Sequence, residues 1–187
     1  MSFGSDPKNS LIRAFVAVPI AEPKAKELES FLQSLRKLAN LRWVTCEQFH
    51  ITLRFLGEQT PAMIDKVRGA LNLIHFNPFD IELSYAGAFP HMSSPRALWL
   101  SGKEGMKELT DLAAMVNEAI DALGVALEKR KFKPHLTLAR TDGRPFPAQL
   151  IAALKDSPRL IWRCDKFDLM RSKLTPRGAV YSKIPLS

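Results

Sequence analysis

The sequence predicts an α+β fold of two similar lobes in pseudo-twofold relation, with mainly antiparallel sheets lining a central cleft and helices packed outside. Three observations predict it. A four-residue pattern is written twice, His50-Ile51-Thr52-Leu53 and His135-Leu136-Thr137-Leu138. Each copy lies in a run of β-favouring residues, and the order strand, helix, motif strand, helix is followed by strands, helix and a second motif strand. No linker, low-complexity tract or change of composition divides the 187 residues, so a single domain is the simplest organisation.

The elements follow from local pattern. Leu11 to Ile20 is a β-branched and aromatic strand ended by Glu22-Pro23, and Leu28, Phe31, Leu32, Leu35 and Leu38 have helical spacing after Pro23. Arg42 to Val44 and Phe49 to Leu56 read as short strands. Thr60-Pro61 reads as an N-cap with proline at the first helical position, opening a helix to about Ile74. Phe79 to Ala88 alternates apolar and polar residues and, with Arg96 to Ser101, suggests a hairpin with a long connection. Met106, Leu109, Leu112, Val116, Ile120 and Leu123 mark one helical face that Gly124 closes. The second motif strand spans Pro134 to Arg140. A short helix around Ala148 to Lys155 and closing strands over Leu160 to Arg171 and Ala179 to Ile184 complete the chain.

Composition narrows the function classes. A hydrophobic share of 46% with 25% charged residues is that of an ordinary globular chain. The longest apolar stretch, Ala14 to Ile20, is far shorter than the roughly 20 residues a membrane helix needs, and no signal-peptide pattern opens the chain, so a cytoplasmic protein is expected. Cys46 and Cys164 stand far apart without ligand spacing and read as free thiols. The net charge of +8 favours polyanionic, phosphate-bearing partners. Basic runs lie at Lys129-Arg130-Lys131 with Lys133, and at Arg171, Lys173 and Arg177.

The motifs carry the chemistry. In a strand, residues two apart share a face, so each histidine stands beside its threonine. Two imidazoles facing one cleft suit general acid and base catalysis at neutral pH, one taking a proton as the other gives one. The hydroxyls of Thr52 and Thr137 suit the non-bridging oxygens of a phosphate. Arg54, two residues past Thr52, falls on the same face as a candidate substrate contact, whereas Arg140, three past Thr137, has the wrong parity unless its strand ends or twists. His75 reads as a structural cation at the end of the second helix, and His91 as a loop residue. No aromatic-rich strand of the kind that stacks bases is evident; only Phe49, Phe55 and Phe132 lie near the motifs.

At Phe49 to Glu58, Arg96 to Leu100 and Pro134 to Arg140, the chain resembles the two-histidine phosphoesterases, and among them the RNA 2',3'-cyclic phosphodiesterases, also called 2'-5' RNA ligases. The likeness runs from about Arg13 to Pro185; residues 1–9 fall outside it and look like a flexible leader. It implies hydrolysis of an RNA-terminal 2',3'-cyclic phosphate to a 2'-phosphomonoester without metal or nucleotide cofactor, and a weak, reversible 2'-5' joining of RNA ends. It further implies that His50 donates the proton to the leaving 3' oxygen, that His135 accepts one from water, and that Thr52 and Thr137 hold the phosphate. Arg54, Arg96 and Arg140 are candidate substrate contacts. The expected partner is an RNA with a cyclic phosphate end, met by a monomer and away from any membrane. Two alternatives stay open: a phosphodiesterase acting on another small cyclic phosphate or a 2'-5' oligonucleotide, and a module that binds RNA ends without turnover.

Overall fold

The structure is a computed structural model that describes residues 11–126, 131–176 and 178–186. The leader at 1–9, with Lys129, Arg130 and Arg177 of the basic runs, lies outside the described residues. Strand β1 (Ile12–Pro19) leads to helix α1 (Glu22–Arg36), then β2 (Arg42–Trp43), β3 (His50–Gln59) and α2 (Pro61–Asn72). Next come β4 (Phe79–Leu83), β5 (Tyr85–Phe89), β6 (Ala97–Ser101), α3 (Met106–Asp121) and β7 (Leu136–Arg140). The chain closes with α4 (Ala148–Ala153), a 3-10 turn, β8 (Leu160–Cys164), β9 (Asp168–Thr175) and β10 (Gly178–Ile184).

The signals read from sequence have physical counterparts here. The Thr60 hydroxyl accepts the Met63 N–H at 3.2 Å and caps α2, with Pro61 in its first turn. Helix α3 buries Leu109, Leu112, Val116 and Ile120 along one face, and Gly124 follows it with φ of +79°, a conformation costly for residues with a Cβ. His75 is exposed and lies beyond the end of α2 at Asn72, so it does not serve as that helix's terminal cation.

The main sheet runs in the order β10-β9-β1-β3-β7-β6-β5, with β2 added alongside β7; β4 and β8 form a separate antiparallel pair. Both lobes are thus parts of one continuous sheet that meet where β3 pairs with β7. Two expected strands divide. Phe79 to Ala88 breaks at Ser84, so that β4 joins β8 while β5 joins β6 in the expected hairpin. Leu160 to Arg171 breaks likewise, β8 pairing with β4 and β9 with β1. Alternation of polarity records that a segment is extended but not which partner it takes, so neither break shows in sequence. Gly102 allows the crossing, since a Cβ there would meet the Glu82 carbonyl oxygen at 1.6 Å.

At the seam, Ile51 pairs antiparallel with Leu136. These are the same position of the two motifs, and both side chains are fully buried. A local twofold axis therefore passes through this pair, and the antiparallel register sets His50 toward Thr137 and Thr52 toward His135 on the opposite, cleft face.

Each motif strand then carries the same irregularity. Thr52 pairs with Ala17 but Arg54 with Val16, leaving Leu53 as an extra residue; Thr137 pairs with Trp99 but Ala139 with Leu98, leaving Leu138 extra. A bulge inserts one residue and inverts the alternation beyond it. Leu53 and Arg54 therefore both turn inward, as do Leu138 and Ala139, while Phe55 and Arg140 turn outward.

This bulge overturns the expectation for Arg54, which does not share the cleft face with Thr52. Its guanidinium is buried and is held by the Asp121 carboxylate at 2.7 Å, the Asn117 side-chain oxygen at 2.8 Å and the Ala126 carbonyl at 2.8 Å. Arg54 ties α3 to β3 and serves the fold. Losing one partner of a buried ion pair costs about 3–5 kcal/mol, reduced where the survivor reaches water. Asp121 keeps 31% of its side-chain surface exposed. Arg54→Met is accordingly expected to lower unfolding stability by about 2–3 kcal/mol in urea titration; wild-type stability in that variant would remove the structural role.

Candidate active site

Each imidazole is oriented by the backbone that precedes it. His50 Nδ1–H donates to the Gln48 carbonyl at 2.6 Å, and His135 Nδ1–H donates to the Lys133 carbonyl at 2.6 Å. A carbonyl only accepts, so in the neutral ring the proton sits on Nδ1 and the lone pair on Nε2. His50 Nε2 meets the Thr52 hydroxyl at 3.0 Å.

The segments that carry these carbonyls are themselves pinned. The Gln48 side chain accepts from Thr45 N–H at 3.1 Å and donates to the Ala179 carbonyl on β10, which fixes the turn entering β3. In the second lobe the Ser101 hydroxyl donates to the Pro134 carbonyl at 2.8 Å, next to His135. The repeat thus extends from residue types to the way the rings are held.

Aromatic rings seat both histidines. Phe15 lies 4.8 Å from the His50 ring and Tyr181 meets it edge-on at 5.4 Å; Phe89 meets His135 edge-on at 4.9 Å and Trp99 stands at 6.4 Å. Trp99 crosses β5 at Gly87, where a Cβ would come within 2.2 Å of the indole. Beside His135 opens a cavity of about 380 Å³ walled by Tyr85, Phe89, Trp99, Met106 and Phe132. An aromatic wall does exist here, although the sequence shows no aromatic-rich strand. It is assembled from separate segments, three of them far from either motif, and no single strand betrays it.

The bulge also corrects the parity argument for Arg140. Turned to the cleft face, its charge acts on both imidazoles and disfavours their protonated forms. Arg96 is exposed at the start of β6, its backbone joining Phe89 to Thr141. Arg42, which the motifs did not indicate, pairs directly with Arg140 and is exposed on the same face. His91 is exposed in the loop before β6.

Burial pushes His50 down to about 4 from the usual 6.5; the Gln48 carbonyl acts the other way, and the His135 and Arg140 charges push it lower. His135 is also lowered, by burial first and by Arg140, against the Lys133 carbonyl. Both rings are therefore neutral at pH 7 in the free protein. The cysteines are free and both are raised by burial, Cys164 to about 12, the reverse of what a thiolate nucleophile requires. Among the described residues, no three His, Cys, Asp or Glu side chains gather as a metal site. In an NMR titration, His50 is expected to gain its proton well below 6.5, near pH 4, and to shift upward when inorganic phosphate is added, because an anion favours imidazolium; a midpoint at or above 6.5 in the free protein would contradict the burial account.

Comparison with known proteins gives the family. The 2'-5' RNA ligase superfamily model matches residues 23–175. An Archaeoglobus fulgidus protein named RNA 2',3'-cyclic phosphodiesterase is 33% identical over 174 residues, covering 92% of this chain and 98% of that one. A Thermotoga maritima protein of the same name is 30% identical over 173 residues, covering 91% of each. Among solved structures, a Thermus thermophilus protein superposes with TM-score 0.74 at 28% identity over 93% of this chain and 96% of its own. Escherichia coli LigT complexed with 3'-AMP shares the fold with TM-score 0.77 at 21% identity, over 94% and 96%. No helix among the described residues is long and apolar enough to cross a membrane. With its paired motifs, its seam and a family model matching most of its length, the chain belongs to the 2'-5' RNA ligase superfamily, the two-histidine phosphoesterases.

Proposed function

We propose that the protein hydrolyses the 2',3'-cyclic phosphate at an RNA end to a 2'-phosphomonoester. The observation that carries this reading is the pair of imidazoles on one sheet face, each with Nδ1 tied to a carbonyl so that Nε2, which in His50 meets the Thr52 hydroxyl, carries the chemistry. Relatives at 30–35% identity carry the name RNA 2',3'-cyclic phosphodiesterase, which supports it.

The phosphate anion enters between the histidines and raises the affinity of His50 for a proton, reversing the effect of burial. His135 Nε2 takes a proton from water, whose oxygen attacks phosphorus in line with the 3' oxygen. The P–O3' bond breaks, and His50 delivers its proton to the departing oxygen. Proton exchange with solvent then resets both rings. The Thr52 and Thr137 hydroxyls donate to the non-bridging oxygens, and Arg140 adds a fixed positive charge as negative charge grows there. The assignment of donor to His50 and acceptor to His135 follows the resemblance of the motifs. The aromatic cavity beside His135 offers faces on which a nucleobase can stack.

A short RNA ending in a 2',3'-cyclic phosphate, incubated with EDTA, is expected to yield a 2'-phosphate. His50→Ala and His135→Ala should each reduce kcat by about 10²- to 10⁴-fold while RNA binding changes only a few-fold. Binding without turnover by the wild type would favour an RNA-end-binding module, and activity lost to EDTA but restored by a divalent cation would end the metal-free reading. Tyr85→Leu, at an exposed wall of the cavity, is expected to raise KM for a nucleoside 2',3'-cyclic phosphate about tenfold with kcat unchanged, as loss of one stacking face predicts. An unchanged KM would place the base elsewhere.

A further inference from the structure

The cleft face of the second lobe is laid out in rows by the register. Thr137, Trp99 and Gly87 form one row beside the seam. Beyond the Leu138 bulge, the next row is Arg42, Arg140, Ala97 and Phe89. Two arginines therefore occupy directly paired positions, one row outward from the threonine that faces the reacting phosphate.

Opposed like charges on neighbouring strands destabilise a sheet. Several arginines elsewhere meet carboxylates, among them Arg36 with Glu29, Arg54 with Asp121, Arg144 with Asp142 and Arg159 with Glu82, whereas Arg13, Arg96 and Arg171 have no carboxylate partner among the described residues and none of these three is paired across strands with another arginine. Neither Arg42 nor Arg140 has a carboxylate or hydrogen-bond partner among the described residues. The platform under Arg42 is nevertheless well built. Val44 N–H donates to the Leu138 carbonyl at 2.8 Å, Trp43 Nε1–H to Ala39 at 3.1 Å, and the Arg36 guanidinium to Val44 at 3.2 Å. A short strand secured at this many points, yet presenting an unneutralised cation beside another, is suited to an anion that arrives from outside.

We propose that Arg42, paired with Arg140, forms a second phosphate subsite, which holds the phosphodiester adjoining the reacting end of an RNA chain. This rests on the cyclic phosphodiesterase reading and extends it: the enzyme distinguishes an RNA end from a mononucleotide by this second charge. Arg140, whose charge acts on both imidazoles, serves both phosphates, while Arg42, on the neighbouring strand and without such an effect on either ring, serves the second. Contacts from an arginine pair to phosphate are charge-assisted and salt-sensitive.

The test compares Arg42→Gln and Arg42→Lys with wild type on two substrates, a mononucleoside 2',3'-cyclic phosphate and a short oligoribonucleotide with the same end, over a series of salt concentrations. Arg42→Gln is expected to raise KM for the oligonucleotide about tenfold and leave mononucleotide kinetics unchanged, with the slope of log KM against log salt shallower by about one phosphate contact. Arg42→Lys should keep most of the slope. Arg42→Gln should be no less thermally stable than wild type, since a repulsion has been removed. In parallel, fluorescence anisotropy follows a labelled RNA already ending in a 2'-phosphate, which needs no turnover. Weaker binding in Arg42→Gln supports the subsite even if the hydrolytic reading fails. Equal effects on both substrates, no effect on either, or no measurable binding of this RNA by the wild type would overturn it.

Discussion

The site depends on one contact, the antiparallel pairing of Ile51 with Leu136. It is the point at which the two lobes become one sheet, and it joins two copies of the same motif position. With both side chains fully buried, each contributes about 1.5–3 kcal/mol of hydrophobic stabilisation, and the pair fixes register as well as cohesion. Because side chains alternate along a strand, burying these two forces His50, Thr52, His135 and Thr137 onto the other face. A slip of one residue would send the catalytic candidates into the core. The most hydrophobic positions of the motifs thus decide where their most polar residues stand.

The repeated bulge is the second constraint. In each lobe it presents two successive residues to the core and returns the third to the cleft, which is why Thr-Leu-Arg-Phe and Thr-Leu-Ala-Arg end on different chemistry. The first lobe thereby places an arginine inside, paired to α3, and a phenylalanine outside near Phe15. The second places alanine inside and an arginine outside. The scaffold is symmetric and the charge is not, so the cations Arg42 and Arg140 collect on the His135 side.

Electrostatics follow from that asymmetry. Two neutral imidazoles beside unpaired arginines form a cleft that attracts anions before any ring is protonated. Burial and Arg140 both keep the rings neutral in the free protein. In the proposed mechanism an entering phosphate reverses that balance, so protonation is coupled to occupancy and a competent acid is confined to the moment when substrate is present.

By itself the sequence determined the α+β class, nearly all element positions and the four motif residues. Those properties are local: helical spacing, the Thr60-Pro61 cap and two-residue alternation each act within a few positions. Tertiary structure alone decided the rest. Arg54 took the parity of the cleft face and Arg140 missed it because alternation was extended through Leu53 and Leu138, where an extra residue inverts it. The divided strands, the aromatic wall and the opposition of Arg42 to Arg140 are likewise products of pairing between distant segments. Pairing is set by which buried faces fit together, and a linear pattern of polarity carries no record of that choice.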